Sequence, residues 1–161
     1  MNPELKELAY LLSTRSLDHD AQELFIKDFE REQEDLQLPP ELSDSCEKFF
    51  SLELGFLLAM PTGNCASGDK YDEVHTILQR EMLGEDFPDI PTSGVHLFSD
   101  YHKWLNERLK EWNDDHGGYE AVSLDDRSTE NLHLFIVYRD DCARLMDLSE
   151  KLGLQFHRQR D

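Results

Sequence analysis

Residues 119–157, YEAVSLDDRSTENLHLFIVYRDDCARLMDLSEKLGLQFH, decide the fold, because their local signals agree at each step. The centre of this segment, LHLFIVYR at residues 132–139, is rich in β-branched and aromatic side chains and almost continuously apolar. This pattern is typical of a strand that is covered on both faces. The shorter YEAVSL at residues 119–124 predicts a second strand. The polar residues between the two predict a hairpin loop.

A helix and a short strand are predicted after this hairpin. Asp140 is a suitable N-cap, and Gly153 suits the position that ends the helix. Between them the apolar residues follow helical spacing, and they are Ala143, Leu145, Met146, Leu148 and Leu152. The alternation in LQFH at residues 154–157 predicts a last strand. If that strand pairs in parallel with residues 132–139, the crossover between them should be right-handed.

The chain before residue 119 predicts mainly helices. Its helical patterns are separated by serine, proline and glycine signals, and they cover residues 3–12, 17–35, 45–60, 70–83 and 100–116. We expect the segment 45–60 to be the most buried, because it is apolar nearly all round. Residues 61–70 and 85–94 predict loops, and residues 95–98 a short strand.

These segments predict an α+β fold. An N-terminal layer of about five helices packs on a small C-terminal β-sheet, in which a β-hairpin is followed by a helix and a short last strand. A length of 161 residues fits one compact domain that spans residues 1–161. We expect the core of this domain to bury Phe56, Leu57, Leu134, Ile136 and Leu148.

The formal net charge of −19, from 35 acidic and 16 basic residues, is the strongest feature of the composition. It disfavours nucleic-acid binding, which needs a basic footprint. It would attract a basic protein partner and speed association at low salt, whereas the simpler interpretation is solubility alone. The expected partner-binding residues form clusters on the second helix, in the loop 85–94 and at the hairpin turn, and they are Asp28, Glu30, Glu32, Glu34, Asp35, Glu85, Asp86, Asp89, Asp125 and Asp126.

Cysteine usage and hydropathy favour a cytoplasmic protein. Cys46, Cys65 and Cys142 are odd in number and widely spaced, so they predict neither a disulfide framework nor a metal knuckle. A reducing compartment is the simplest setting for them. No apolar run approaches the length of a membrane span, and the N-terminus lacks the regions of a signal peptide, so we expect no membrane association.

Motifs for catalysis or cofactor binding are missing from the sequence. The glycines around Cys65 lack the spacing of a phosphate loop, and there is no GxSxG elbow. Cys142 stands near a helix start, but a small core residue is the simpler interpretation of it. Residues 18–20 (DHD) and 114–116 (DDH) have metal-ligand residue types without ligand spacing. We therefore predict no catalytic residue, no metal and no cofactor.

Three classes of function remain. The leading one is a non-enzymatic acidic binding protein, an inhibitor or immunity-type protein that blocks a basic partner such as a nuclease or toxin. The second is a small hydrolase or metal-dependent enzyme, which would require His96, His102 or His116 to converge with carboxylates in one pocket. The third is a scaffold protein or a subunit of a larger assembly.

Two tryptophans bear on this choice. Trp104 and Trp112 lie two turns apart on one predicted helix, and core packing is the default interpretation of both. An exposed indole on that helix would instead favour an anchor for a protein partner.

Overall fold

A computed structural model of the chain describes residues 3–35, 65–125 and 131–159, with residues 32–35 described by their backbone alone. Helices predominate in the N-terminal part and strands in the C-terminal part, which confirms the predicted α+β class. The helices are α1 (Pro3–Leu12), α2 (His19–Asp35), α3 (Tyr71–Ile77), α4 (Phe98–Trp112) and α5 (Cys142–Leu152). The strands are β1 (Cys65–Gly68), β2 (Tyr119–Leu124), β3 (Leu132–Tyr138) and β4 (Phe156–His157). A π-helix (Leu78–Leu83) extends α3, and short 3-10 turns (Asp115–Gly117 and Arg139–Asp141) precede β2 and α5.

The four strands of the described residues form one antiparallel sheet in the order β1-β3-β2-β4. β2 and β3 pair antiparallel, as a hairpin requires, with Tyr119 opposite Tyr138. Residues 126–130 of the predicted hairpin loop lie outside the described residues. β4 pairs antiparallel with β2, at Ser123 opposite His157. β4 therefore runs in the same direction as β3, but β2 lies between them, so the two strands do not pair directly as parallel neighbours.

Helices cover both faces of the sheet, which explains the continuous apolar character of β3. On one face, α1, α2 and α5 pack against side chains that include Val122, Phe135 and Val137. On the other face, α3 and α4 pack against Ala121, Leu134 and Ile136. These two sets alternate along β2 and β3, as successive side chains of a strand must.

Part of the predicted core is confirmed. Leu134 and Leu148 are 0% exposed and Ile136 is 7% exposed. Phe56, Leu57 and the helix predicted at residues 45–60 lie outside the described residues. Among the residues that the structure does describe, no helix is long and apolar enough to cross a membrane.

Two local predictions are wrong. The loop predicted at residues 61–70 contains strand β1 (Cys65–Gly68), which pairs with β3 so that Ser67 lies opposite His133. The small residues of β1 show no strand pattern in the sequence, and β1 is a strand because it pairs with β3. The strand predicted at residues 95–98 is absent from this described segment, and Phe98 begins α4. The carboxylate of Asp100 accepts hydrogen bonds from the backbone N–H groups of His96 and Leu97, which fixes these residues as the entry to the helix.

Helix starts differ from prediction by a few residues. The helix predicted from residue 17 begins at His19, because Asp18 caps it: Oδ1 of Asp18 accepts the backbone N–H of Ala21 at 2.8 Å. Asp140 lies inside a 3-10 turn, and α5 begins at Cys142. The neighbouring Asp141 forms a bidentate ion pair with Arg15, at 2.6 and 3.0 Å. This pair connects the α1–α2 loop to the start of α5.

Candidate functional site

The loop after the π-helix is held to the protein by one buried aromatic ring. Phe87, in the middle of EDFPDIP, is only 1% exposed. Its ring centroid lies 5.1 Å from that of Trp112, 6.4 Å from that of Trp104 and 5.8 Å from that of His75. The acidic loop therefore has a hydrophobic anchor on α3 and α4, which the sequence pattern alone did not reveal.

Hydrogen bonds hold the loop at Phe87 and at the two residues after it. Gln79 Nε2 donates to the carbonyl of Phe87 and to Oδ1 of Asp89, both at 2.8 Å. His75 Nε2 lies 2.9 Å from the carbonyl of Pro88, and because a carbonyl only accepts, Nε2 must carry a proton. His75 Nδ1 then accepts from the hydroxyl of the buried Tyr101 at 3.0 Å. Three consecutive loop residues are thus held by side chains of α3 and the π-helix.

The loop carries three exposed carboxylates near Phe87 in sequence, and the ring of Phe87 contacts a partly exposed indole. Glu85, Asp86 and Asp89 are exposed, and Trp112, in contact with Phe87, is 40% exposed. We call these four residues the acidic loop surface. Trp104 packs in the core, as predicted by default, because it is half-buried in the cluster around Phe87. Trp112 is exposed and does not fit that prediction. An exposed aromatic ring bordered by charge is the composition of a protein-binding anchor.

The other predicted acidic clusters lie apart from this surface. Asp28 is half-buried and pairs with Arg31, while Glu30 is exposed. The core residues of α2 pack on the α1–α5 face of the sheet, whereas Phe87 packs on the α3–α4 face. The α2 cluster and the acidic loop surface are therefore on opposite sides. Asp125 is exposed at the end of β2. Outside the described residues lie the side chains of Glu32, Glu34 and Asp35 and the whole of Asp126.

The three histidines considered for an enzyme have different surroundings. His96 is exposed in the approach to α4. His102 is buried and donates from Nε2 to the carbonyl of Ala121 at 2.6 Å, so it covers the edge of β2. His116 is exposed in a 3-10 turn, and its ring centroid lies 4.6 Å from that of Tyr138. Within the described ranges no group of three or more His, Cys, Asp or Glu side chains is arranged to hold a metal ion.

A serine–histidine pair lies across β1 and β3. Ser67 Oγ is 2.6 Å from Nδ1 of the buried His133, and Cys65 Sγ is 3.5 Å from the same hydroxyl. The strand pairing that creates this contact could not be predicted, because β1 has no strand pattern in the sequence. Burial raises the pKa of Cys65 to about 11 and that of Cys142 to about 12. Both thiols are therefore protonated at neutral pH, and Cys142, at 0% exposed, is the small core residue that we predicted.

The buried carboxylate of Glu120 was also not predicted from the sequence. Glu120 is 3% exposed and accepts two hydrogen bonds from Arg158, at 2.8 and 2.9 Å. Arg139 Nη1 lies 3.3 Å from the same carboxylate. In YEAVSL, Glu120 shares its face with the core residues Val122 and Leu124, and nothing local indicates that two arginines reach it.

Comparisons with protein-family models, with curated proteins and with solved structures found no match.

The buried imidazole under the loop predicts a loss of stability in mild acid. Burial lowers the pKa of His75, although the Pro88 carbonyl opposes this effect. The unfolded chain, with an ordinary histidine pKa of about 6.5, then binds protons at higher pH than the folded state does. Stability is thus fully present above that value and is lost as the pH falls through the lower, folded pKa. We expect the urea midpoint to fall between about pH 7 and pH 5.

Substitution separates His75 from the other groups that titrate in this range. His75→Gln, whose amide can still donate to Pro88, should show a smaller fall in urea midpoint than the unchanged protein. His96→Gln, at an exposed position, is the matched control and should show the full fall. An identical fall in all three proteins would contradict the assignment to His75.

Proposed function

We propose that the protein is a non-enzymatic acidic binding protein of the cytoplasm, an inhibitor or immunity-type protein that blocks a basic protein such as a nuclease or toxin. The acidic loop surface makes the contact. The observation that carries this proposal is the anchoring of residues 87–89. Asp89 is one of the anchored residues, Glu85 and Asp86 directly precede Phe87, and the ring of Phe87 contacts Trp112.

Preorganisation is the first physical reason. A mobile acidic loop would lose conformational entropy on binding, and this loss would reduce its affinity. Here Phe87 and the bonds from Gln79 and His75 restrict the loop before a partner arrives. Trp112, whose ring contacts Phe87, adds an exposed apolar surface, and such aromatic anchors dominate the energy of many interfaces.

Charge is the second physical reason. A magnitude of about 2–8 is ample for the solubility of a small domain, and this chain carries −19. Excess like charge destabilises the compact state through self-repulsion. A role in binding a basic partner would explain why the chain carries this charge. Carboxylates can occupy the positions on a basic protein that phosphate groups of its substrate would otherwise fill, and this competition is the logic of such inhibition.

The proposal predicts that a basic protein is captured at low salt and released at high salt. The bait is this protein, immobilised, in an extract of its source cell, and captured proteins are identified by mass spectrometry. The bait with Glu85→Gln, Asp86→Asn and Asp89→Asn should lose the captured protein. The asparagine introduced at position 89 keeps an oxygen that can accept from Gln79, so the loop should remain in place.

A matched control separates the loop from total charge. Asp20→Asn, Asp147→Asn and Glu150→Gln remove the same number of charges from exposed positions on α2 and α5, on the other face of the sheet. This variant should still capture the partner. Parallel variants at Asp28 with Glu30 and at Asp125 test the remaining described clusters. If every variant captures the same proteins as the unchanged bait, the acidic residues are a solvated coat and the proposal fails.

A further inference from the structure

A cleft lined by basic residues lies between α4 and the end of the chain that follows β4. Its volume is about 560 Å³, and its walls include Lys103 and Lys110 from α4, Arg139 after β3, and Arg158 after β4. The two lysines lie on one side of α4, because a separation of seven residues is close to two helical turns. Four cations therefore meet in one concave site of a strongly acidic chain.

Hydrogen bonds to and from one buried side chain hold elements around the cleft together. Asn106, between the two lysines on α4, accepts the backbone N–H of Ala121 at 2.7 Å through Oδ1. Its Nδ2 donates to Oε1 of Gln159 at 3.2 Å. The buried Asn106 thus joins α4, the edge of β2 and the chain after β4, and it fixes these three elements relative to one another.

The cleft keeps a positive charge after its internal pairs are counted. Glu120 is shared by Arg139 and Arg158, so this trio retains one positive charge. The whole lining has four cations and two carboxylates, Glu107 and Glu120, which leaves two positive charges. Neither lysine is within 4 Å of a carboxylate of the described residues. The buried Nε of Arg139 has no hydrogen-bond partner among them either.

We propose that this cleft binds a small phosphate compound with at least two negative charges, of the pyrophosphate type. Terminal phosphate oxygens accept from several donors at once, as the ammonium and guanidinium groups around this cleft require. None of the described residues that line the cleft is aromatic, so there is no stacking surface for a nucleobase. The site is independent of the acidic loop surface, because none of the residues that form that surface lines the cleft.

Calorimetric titration of the full chain with pyrophosphate, at constant ionic strength, tests the proposal. We expect saturable binding to the unchanged protein. Lys103→Ala with Lys110→Ala should weaken it at least about tenfold, since two charge-assisted contacts are lost. Both lysines are exposed, so the fold should survive, and urea unfolding of the variant checks this. Lys27→Ala with Lys151→Ala removes the same charge from exposed positions on the other face and should bind like the unchanged protein.

A citrate titration distinguishes phosphate from a carboxylate anion of similar charge, and we expect citrate to bind at least about tenfold more weakly than pyrophosphate. The proposal is overturned by failure of pyrophosphate to bind at millimolar concentration, by equal weakening in the two lysine pairs, or by citrate binding as tightly as pyrophosphate.

Discussion

Replacing Leu134 with alanine should lower the free energy of unfolding by about 2–5 kcal/mol, the range for truncation of a fully buried leucine. Leu134 is 0% exposed and stands in β3, with β1 on one side and β2 on the other. Its side chain packs in the cluster that holds α3 and α4 to the sheet. The cavity would lie between the sheet and the helices α3 and α4. Because these elements are fixed by their other contacts, we expect them to move little and the cavity to stay open.

Urea unfolding measures this effect. Leu24→Ala is the matched control, because Leu24 is 61% exposed on α2, and it should change stability by less than about 0.5 kcal/mol. A urea midpoint for Leu134→Ala equal to that of the unchanged protein would show that β3 is not the structural centre of the sheet.

Replacing Glu120 with glutamine should cost about 2–4 kcal/mol. The change keeps the size of the side chain but leaves Arg139 and Arg158 without their shared counter-charge. Breaking a fully buried pair costs about 3–5 kcal/mol, and we lower this range because the Arg158 side chain is 44% exposed to water. Glu107→Gln, at an exposed position in the same cleft, is the control and should have little effect.

The cost of the Glu120 substitution should depend on pH. Burial alone would raise the pKa of Glu120, but hydrogen bonds and the positive charges of Arg158 and Arg139 lower it overall. A carboxylate with a lowered folded pKa contributes stability that is present above its unfolded pKa and is lost as the pH falls through the folded value. The difference between the unchanged protein and Glu120→Gln should therefore shrink in acid, below about pH 4.5. A difference that stays constant down to acid unfolding would contradict the ionic role of Glu120.

Periodicity predicted the parts of the fold in which both faces of an element have apolar partners. β3 reads as a central strand because Leu134 and Ile136 face one helical layer while Phe135 and Val137 face the other. The helix after it ends at Gly153, whose left-handed backbone, with φ 74°, is the conformation that favours glycine at a helix end. These features are local, so the residues near them in sequence are sufficient to define them.

The features that escaped prediction depend on residues far apart in the chain. Glu120 receives its partners from positions 139 and 158, and no local pattern indicates that they converge. The loop at residues 85–94 was predicted from its prolines, but its anchor depends on rings from α3 and α4 that meet Phe87 only in the folded protein. The acidic residues of that loop were predicted from charge alone, and their role in binding remains a proposal.

The most direct test of the acidic loop surface is its association rate with the captured basic protein across a salt series. The loop variant, with Glu85, Asp86 and Asp89 neutralised, should associate about tenfold more slowly than the unchanged protein at low ionic strength. This difference should shrink at high salt, as charges are screened. The control variant, neutralised at Asp20, Asp147 and Glu150, should retain most of the rate. Association of the loop variant at the rate of the unchanged protein at every salt concentration would contradict the proposal.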